Sequence, residues 1–179
     1  MAHIDLGNDL PGIRGPMAYS PATARPLNEL AEILLRSDDN SLSRGERELI
    51  GAYTSSLNDC FFCQNVHGSL AQHYLGCDMA TIDAIKLDPQ QAPISEKMKA
   101  LLPIAAAVRR GGRHVTPALV EKAGAEGATD REIHDTVLTS RRLLYVQPLC
   151  RRPGNLGAAR PAGVRRSGAP PRGRRVYRF

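Results

Sequence analysis

Two four-residue signatures, Ser43-Arg-Gly-Glu46 and Thr129-Asp-Arg-Glu132, do most to restrict what this 179-residue chain can become. In each, a hydroxyl residue stands three places before a glutamate, the spacing at which the two side chains cap each other's backbone N–H and start a helix. Other helix punctuation surrounds them, and no stretch shows the period-two alternation of a half-buried strand. The expected fold class is all-α. Leu27, Leu30, Ile33 and Leu34 lie at helical spacing and mark a first helix. The Ser43 box opens a second, running to about Leu57. Asn58 and Asp59 supply a turn, after which a third helix runs from about Cys60 to Gly76. A fourth covers about Met79 to Lys86. Ser95 caps a fifth, which continues through Pro103 to the Gly111-Gly112 stop; Thr116-Pro117 starts a sixth and the Thr129 box a seventh. The expectation is a single-domain bundle of about seven helices over residues 27–140. Pro11, Pro16, Pro21 and Pro26 punctuate residues 1–26, which read as an extended arm.

Charge divides the chain in two. Eleven arginines, and neither lysine nor acid, lie between 141 and 179; without them the 24 cations become 13 against 18 acids, so residues 1–140 carry about −5. Clustered arginine attracts phosphate, but an acidic body argues against nucleic acid as the partner of the whole protein. Rich in Arg, Pro, Gly and Ala, the segment 141–179 has the composition of a GC-rich gene read out of frame, and it is expected to be a poorly ordered tail. No apolar run approaches the ~20 residues of a membrane span, and the opening residues lack a basic start and an apolar h-region. The cytoplasm is the expected compartment, with no membrane partner. Thiols stay reduced there, so a Cys-x-x-Cys pair points to catalysis or metal rather than to a structural staple.

That pair is Cys60 and Cys63, followed by His67. On one helix the three would share a face. A thiolate in the first turn is favoured by unpaired N–H groups and the positive end of the helix dipole, and a neutral imidazole at 67 could take the Cys63 proton. Three uses fit these residues. They can be small buried hydrophobes. They can bind zinc together with Cys77 or His73, although ligands on one continuous helix would tie little of the fold together. Or they can form a dithiol redox centre, without the βαβ setting that a thioredoxin-like domain requires. Glu48, on the preceding helix, could return beside the stripe and orient the histidine, although by helix geometry alone it reads, like Arg47, as a solvated charge.

The spacing of Glu48, Cys60, Cys63 and His67, set within LSRGERELIGAYTSSLNDCFFCQNVHGSLAQHYLG, resembles the core motif of the alkylhydroperoxidase D-like proteins, in the carboxymuconolactone decarboxylase superfamily, and the wider stretch resembles its peroxidase-related branch. The resemblance runs to about Leu138. It implies an all-helical oligomer, trimer or hexamer, that reduces hydroperoxides with a cysteine pair and needs neither cofactor nor metal. It also implies roles. Cys63 would attack the peroxide, Cys60 would resolve the sulfenic acid as a Cys60–Cys63 disulfide, and His67 backed by Glu48 would relay the proton. The electron donor would be a protein or small-thiol reductant. Phe61 and Phe62 stand between the thiols where some members carry polar residues. The rival reading is a non-enzymatic helical binding module with a zinc or structural Cys-x-x-Cys and a basic tail that contacts nucleic acid.

Overall fold

Both capping boxes close. In the computed structural model, which describes residues 4–150, the Ser43 hydroxyl accepts the Glu46 N–H at 3.2 Å and the Glu46 carboxylate accepts the Ser43 N–H at 2.8 Å. Thr129 and Glu132 repeat the exchange at 3.2 and 2.8 Å. These caps open two of the eight α-helices among the described residues: α1 (Arg14–Tyr19), α2 (Pro21–Arg36), α3 (Arg44–Leu57), α4 (Phe61–Leu75), α5 (Met79–Leu87), α6 (Glu96–Arg110), α7 (Pro117–Ala125) and α8 (Asp130–Cys150). There is no strand among the described residues, and none of the helices is long and apolar enough to cross a membrane.

At the centre is α3, which packs against α2, α4, α5, α6 and α8. Enclosed on every side, it buries Leu49, Ile50 and Ala52, and also Arg47, Glu48, Thr54 and Ser55. The apolar core around it comes mainly from Ile82 and Ile85 of α5 and Met98, Leu101, Leu102 and Ile104 of α6, all at most 2% exposed. Each such side chain stabilises the fold by roughly 1.5–3 kcal/mol. Pro103 sits inside α6 and cannot donate to the Lys99 carbonyl; the Gln90 side chain donates to that oxygen instead, at 2.8 Å.

Three sequence expectations need correction. Residues 1–26 are not an extended arm throughout, because α1 and the start of α2 lie within them. Pro16 and Pro21 occupy first-turn positions whose N–H groups have no helical partner in any case. Pro26 leaves only the Ala22 carbonyl unbonded within α2, on an exposed surface. Arg47 is not solvated: it is 4% exposed, and its Nη1 donates to the Ser37 carbonyl at 2.9 Å, tying the end of α2 to α3.

The third correction moves the domain boundary from 140 to at least 147. Helix α8 runs on to Cys150 and buries Leu143, Val146 and Gln147. Gln147 Nε2 donates to Ser55 Oγ at 2.7 Å, and Gln147 Oε1 accepts from Asn58 Nδ2 at 2.6 Å. Arg109 Nε donates to Asn58 Oδ1 at 3.0 Å, so a buried polar network links α8, α6 and the α3–α4 turn. The expectation of a poorly ordered, out-of-frame tail otherwise concerns 151–179, which lie outside the described residues.

Candidate active site

The α3–α4 turn places the cysteines. Asp59 takes a left-handed conformation (φ 53°), Asp59 N–H donates to the Ser56 carbonyl at 3.1 Å, and Cys60 N–H donates to the Ser55 carbonyl at 3.0 Å. This is the Schellman closure of α3, with Asp where glycine is more usual. Cys60 therefore ends one helix and caps the next: its backbone is extended and its carbonyl accepts the Gln64 N–H at 3.0 Å. The expected stripe of three is accordingly a pair, Cys63 and His67, with Cys60 just outside the helix. Cys63 takes the third helical position, among unpaired N–H groups and at the positive end of α4, a setting that favours a negative sulfur.

Glu48 does come back. Its Oε2 lies 2.6 Å from His67 Nδ1, with the carboxyl side chain 4% and the imidazole 11% exposed. A carboxylate can only accept, so in the neutral imidazole Nδ1 carries the hydrogen and Nε2 has the lone pair that can take a proton. Gly51, one helical turn after Glu48, makes room for the ring: a Cβ there would lie 3.0 Å from His67 Cγ and Nδ1. Glycine at this point sets the distance between imidazole and α3.

Glu48, Cys63 and His67 line one cavity of about 250 Å³, walled by Ile13, Ala31, Leu35, Phe62, Val66 and Leu70. Cys60 does not line it. It lies behind, 3% exposed, in a small apolar cluster with Cys63, Ile13 and Phe62. Gly12 (φ 58°) packs on the Phe62 ring, so the residues before α1 cover the cysteine pair. Cys77 lies at the far end of α4 and lines a different cavity with Leu49, Ile85 and Met98. Among the described residues no group of three or more His, Cys, Asp or Glu could hold a metal ion, so a zinc site built from Cys60, Cys63 and His67 with Cys77 or His73 has no ligand set there.

One wall residue escaped the sequence reading. Arg142 of α8 borders the cavity, and its Nε and Nη1 are shut off from solvent with no hydrogen-bond partner among the described residues. Burial pushes its pKa below the usual arginine range; Cys63 and Glu48 act in the opposite direction, and Arg36 adds to the lowering. The guanidinium thus favours a negative charge on Cys63. Its signal in the sequence was the helical spacing that continues past 140, hidden by the change of composition there.

No protein-family model matches the sequence, nor does any curated protein. Solved structures do. One, "alkylhydroperoxidase AhpD core: uncharacterized peroxidase-related protein" from Ralstonia eutropha JMP134, is 24% identical with a TM-score of 0.68, over 75% of this chain and 70% of that one. Another, an "uncharacterized peroxidase-related protein" from Silicibacter sp. TM1040, is 24% identical with a TM-score of 0.62, over 74% of this chain and 72% of that one. The all-α, single-domain fold is that of the alkylhydroperoxidase D-like core.

Proposed function

We propose that this protein is a thiol peroxidase that reduces hydroperoxides through a Cys60–Cys63 dithiol/disulfide cycle. The observation that carries the reading is the buried Glu48–His67 pair at 2.6 Å in the cavity that Cys63 lines. His67 Nε2 takes the Cys63 proton. The thiolate attacks the terminal oxygen of the hydroperoxide, the O–O bond breaks, Cys63 becomes a sulfenic acid, and the departing alkoxide takes the proton back from His67. Cys60 then attacks the Cys63 sulfur and the hydroxyl leaves as water, forming the disulfide. A thiol protein or small thiol returns two electrons and two protons.

The same reading brings a homo-oligomer of three or six and a cytoplasmic setting. Apolar surface on α4 is consistent with assembly: Phe61, Val66 and Tyr74 are each more than 40% exposed. Thiol titration before and after one equivalent of cumene hydroperoxide tests the chemistry. The wild-type protein is expected to lose two thiols per chain, and Cys63→Ser none. A Cys63→Ser protein that consumes peroxide at the wild-type rate would remove Cys63 as the nucleophile.

A further inference from the structure

Arg142 supplies two donors that no described residue accepts. Every other charged side chain lining the cavity is engaged: Arg36 Nη1 lies 2.6 Å from Glu32 Oε2, and Glu48 Oε2 lies 2.6 Å from His67 Nδ1. Among the described residues Arg142 alone carries two nitrogens, Nε and Nη1, that are sealed from water and unbonded. Stranding buried donors on a cation is costly, and an apolar side chain of similar size on α8 would avoid that penalty altogether. Cys63 does not absorb these donors either. It interacts with Arg142 through charge, but its sulfur takes no hydrogen bond from Nε or Nη1. A ligand carrying an acceptor would relieve that penalty once the guanidinium turns toward the cavity that Arg142 borders. The rest of the cavity describes that ligand: its walls set apolar side chains beside the polar Asn28, Glu32 and Arg36, and its volume is about 250 Å³, with Cys63 and Arg142 both on the lining. A small amphiphilic acid would lay its carbon chain on these walls and its anionic group on the arginine.

We infer that the cavity selects hydroperoxides bearing a carboxylate, with Arg142, its guanidinium turned into the cavity, holding the carboxylate while the peroxide group meets Cys63. This rests on the thiol-peroxidase reading for the identity of the reacting group, whereas the acid-binding half can be measured without turnover.

Full-length Cys63→Ser protein, which cannot react, is titrated calorimetrically with hexanoate and with hexanamide. The acid is expected to bind at least about tenfold more tightly than the amide, the difference made by a charge-assisted hydrogen bond. Adding Arg142→Met should reduce that ratio to near unity, and Arg142→Lys should restore part of it. The acid-to-amide ratio with Arg142 in place requires no change at 142, so a misfolded methionine variant does not blunt the test. Equal affinities, a ratio that survives Arg142→Met, or no heat from either probe at millimolar concentration would each overturn the inference. Acid selection without peroxide turnover in the wild-type protein would instead sink the enzymatic reading and leave the anion site standing.

Discussion

Replacing Gln147 with leucine tests whether the second half of α8 belongs to the folded domain. Gln147 is 1% exposed, and its amide makes two hydrogen bonds, to Asn58 at 2.6 Å and to Ser55 at 2.7 Å. Leucine has a similar volume, so the change removes polarity rather than packing. Ser55 keeps its bond to the Gly51 carbonyl at 2.6 Å, and Asn58 Oδ1 keeps Arg109 at 3.0 Å. What disappears is the acceptor for Asn58 Nδ2 and the donor to Ser55 Oγ. Two net hydrogen bonds contribute about 1 kcal/mol each, and a buried amide N–H deprived of its acceptor adds ~1–3 kcal/mol. The extra apolar burial of leucine returns ~1 kcal/mol. The expected loss is therefore ~2–4 kcal/mol, or a fall in Tm of roughly 5–15 °C for a domain of this size. Urea unfolding followed by helical circular dichroism reads it as a lower midpoint with unchanged m. Because Cys60 lies two residues after Asn58, the alkylation rate of the cysteine pair should rise as the turn loosens. A stability change below about 0.5 kcal/mol would show that the network is not a structural tie and that the domain ends earlier.

Glu48→Gln lets an amide donate to His67 Nδ1 and so move the ring hydrogen to Nε2, where it blocks proton uptake; peroxide-driven thiol loss should slow by about 10²-fold with little change in Tm. Gly51→Ala should separate site from scaffold. Helix propensity improves by up to about 1 kcal/mol while the new methyl presses on the His67 ring, so the thiol-loss rate falls about tenfold or more at nearly constant stability. Glu132 gives a pH signature. Burial alone would raise its pKa, but Lys97 at 2.8 Å, the Thr129 N–H and Ser41 together hold it below the usual glutamate value. A folded-state pKa below the unfolded one contributes stability above the ordinary glutamate range, and this contribution fades as pH falls through the folded value. Unfolding midpoints should therefore drop more steeply between about pH 5 and pH 3 in wild type than in Glu132→Gln, and parallel slopes would refute the assignment.

Helix starts were legible because capping is local. Ser43, Ser95 and Thr129 announce themselves within four residues, and so does the Cys60–His67 spacing. Burial of charge was not, because whether Arg47 and Glu48 face water depends on what surrounds α3, and α3 is surrounded everywhere. The end of the domain was hidden for a related reason. The buried stripe of α8 includes Thr136, Ser140, Leu143 and Gln147, so three of these four inward positions are polar and read as surface. Their hydroxyl and amide groups are satisfied by Glu132, Thr136, Ser55 and Asn58, partners that a linear reading cannot assign. Arg142 shares that fate. Its composition suggested a solvated tail, and only the third dimension puts it beside Cys63.

The tie between Asn58 and Gln147 spans 89 residues, and this bears on how the protein is made. A chain synthesised from its N-terminus presents Cys60 and Cys63 long before the last half of α8 leaves the ribosome. Until then the turn lacks its amide clamp and the cavity lacks its arginine wall. The nascent thiols are thus exposed to oxidants at the stage when their surroundings are least complete, and a messenger cut short before codon 142 would yield the four-residue motif intact in a site that never closes.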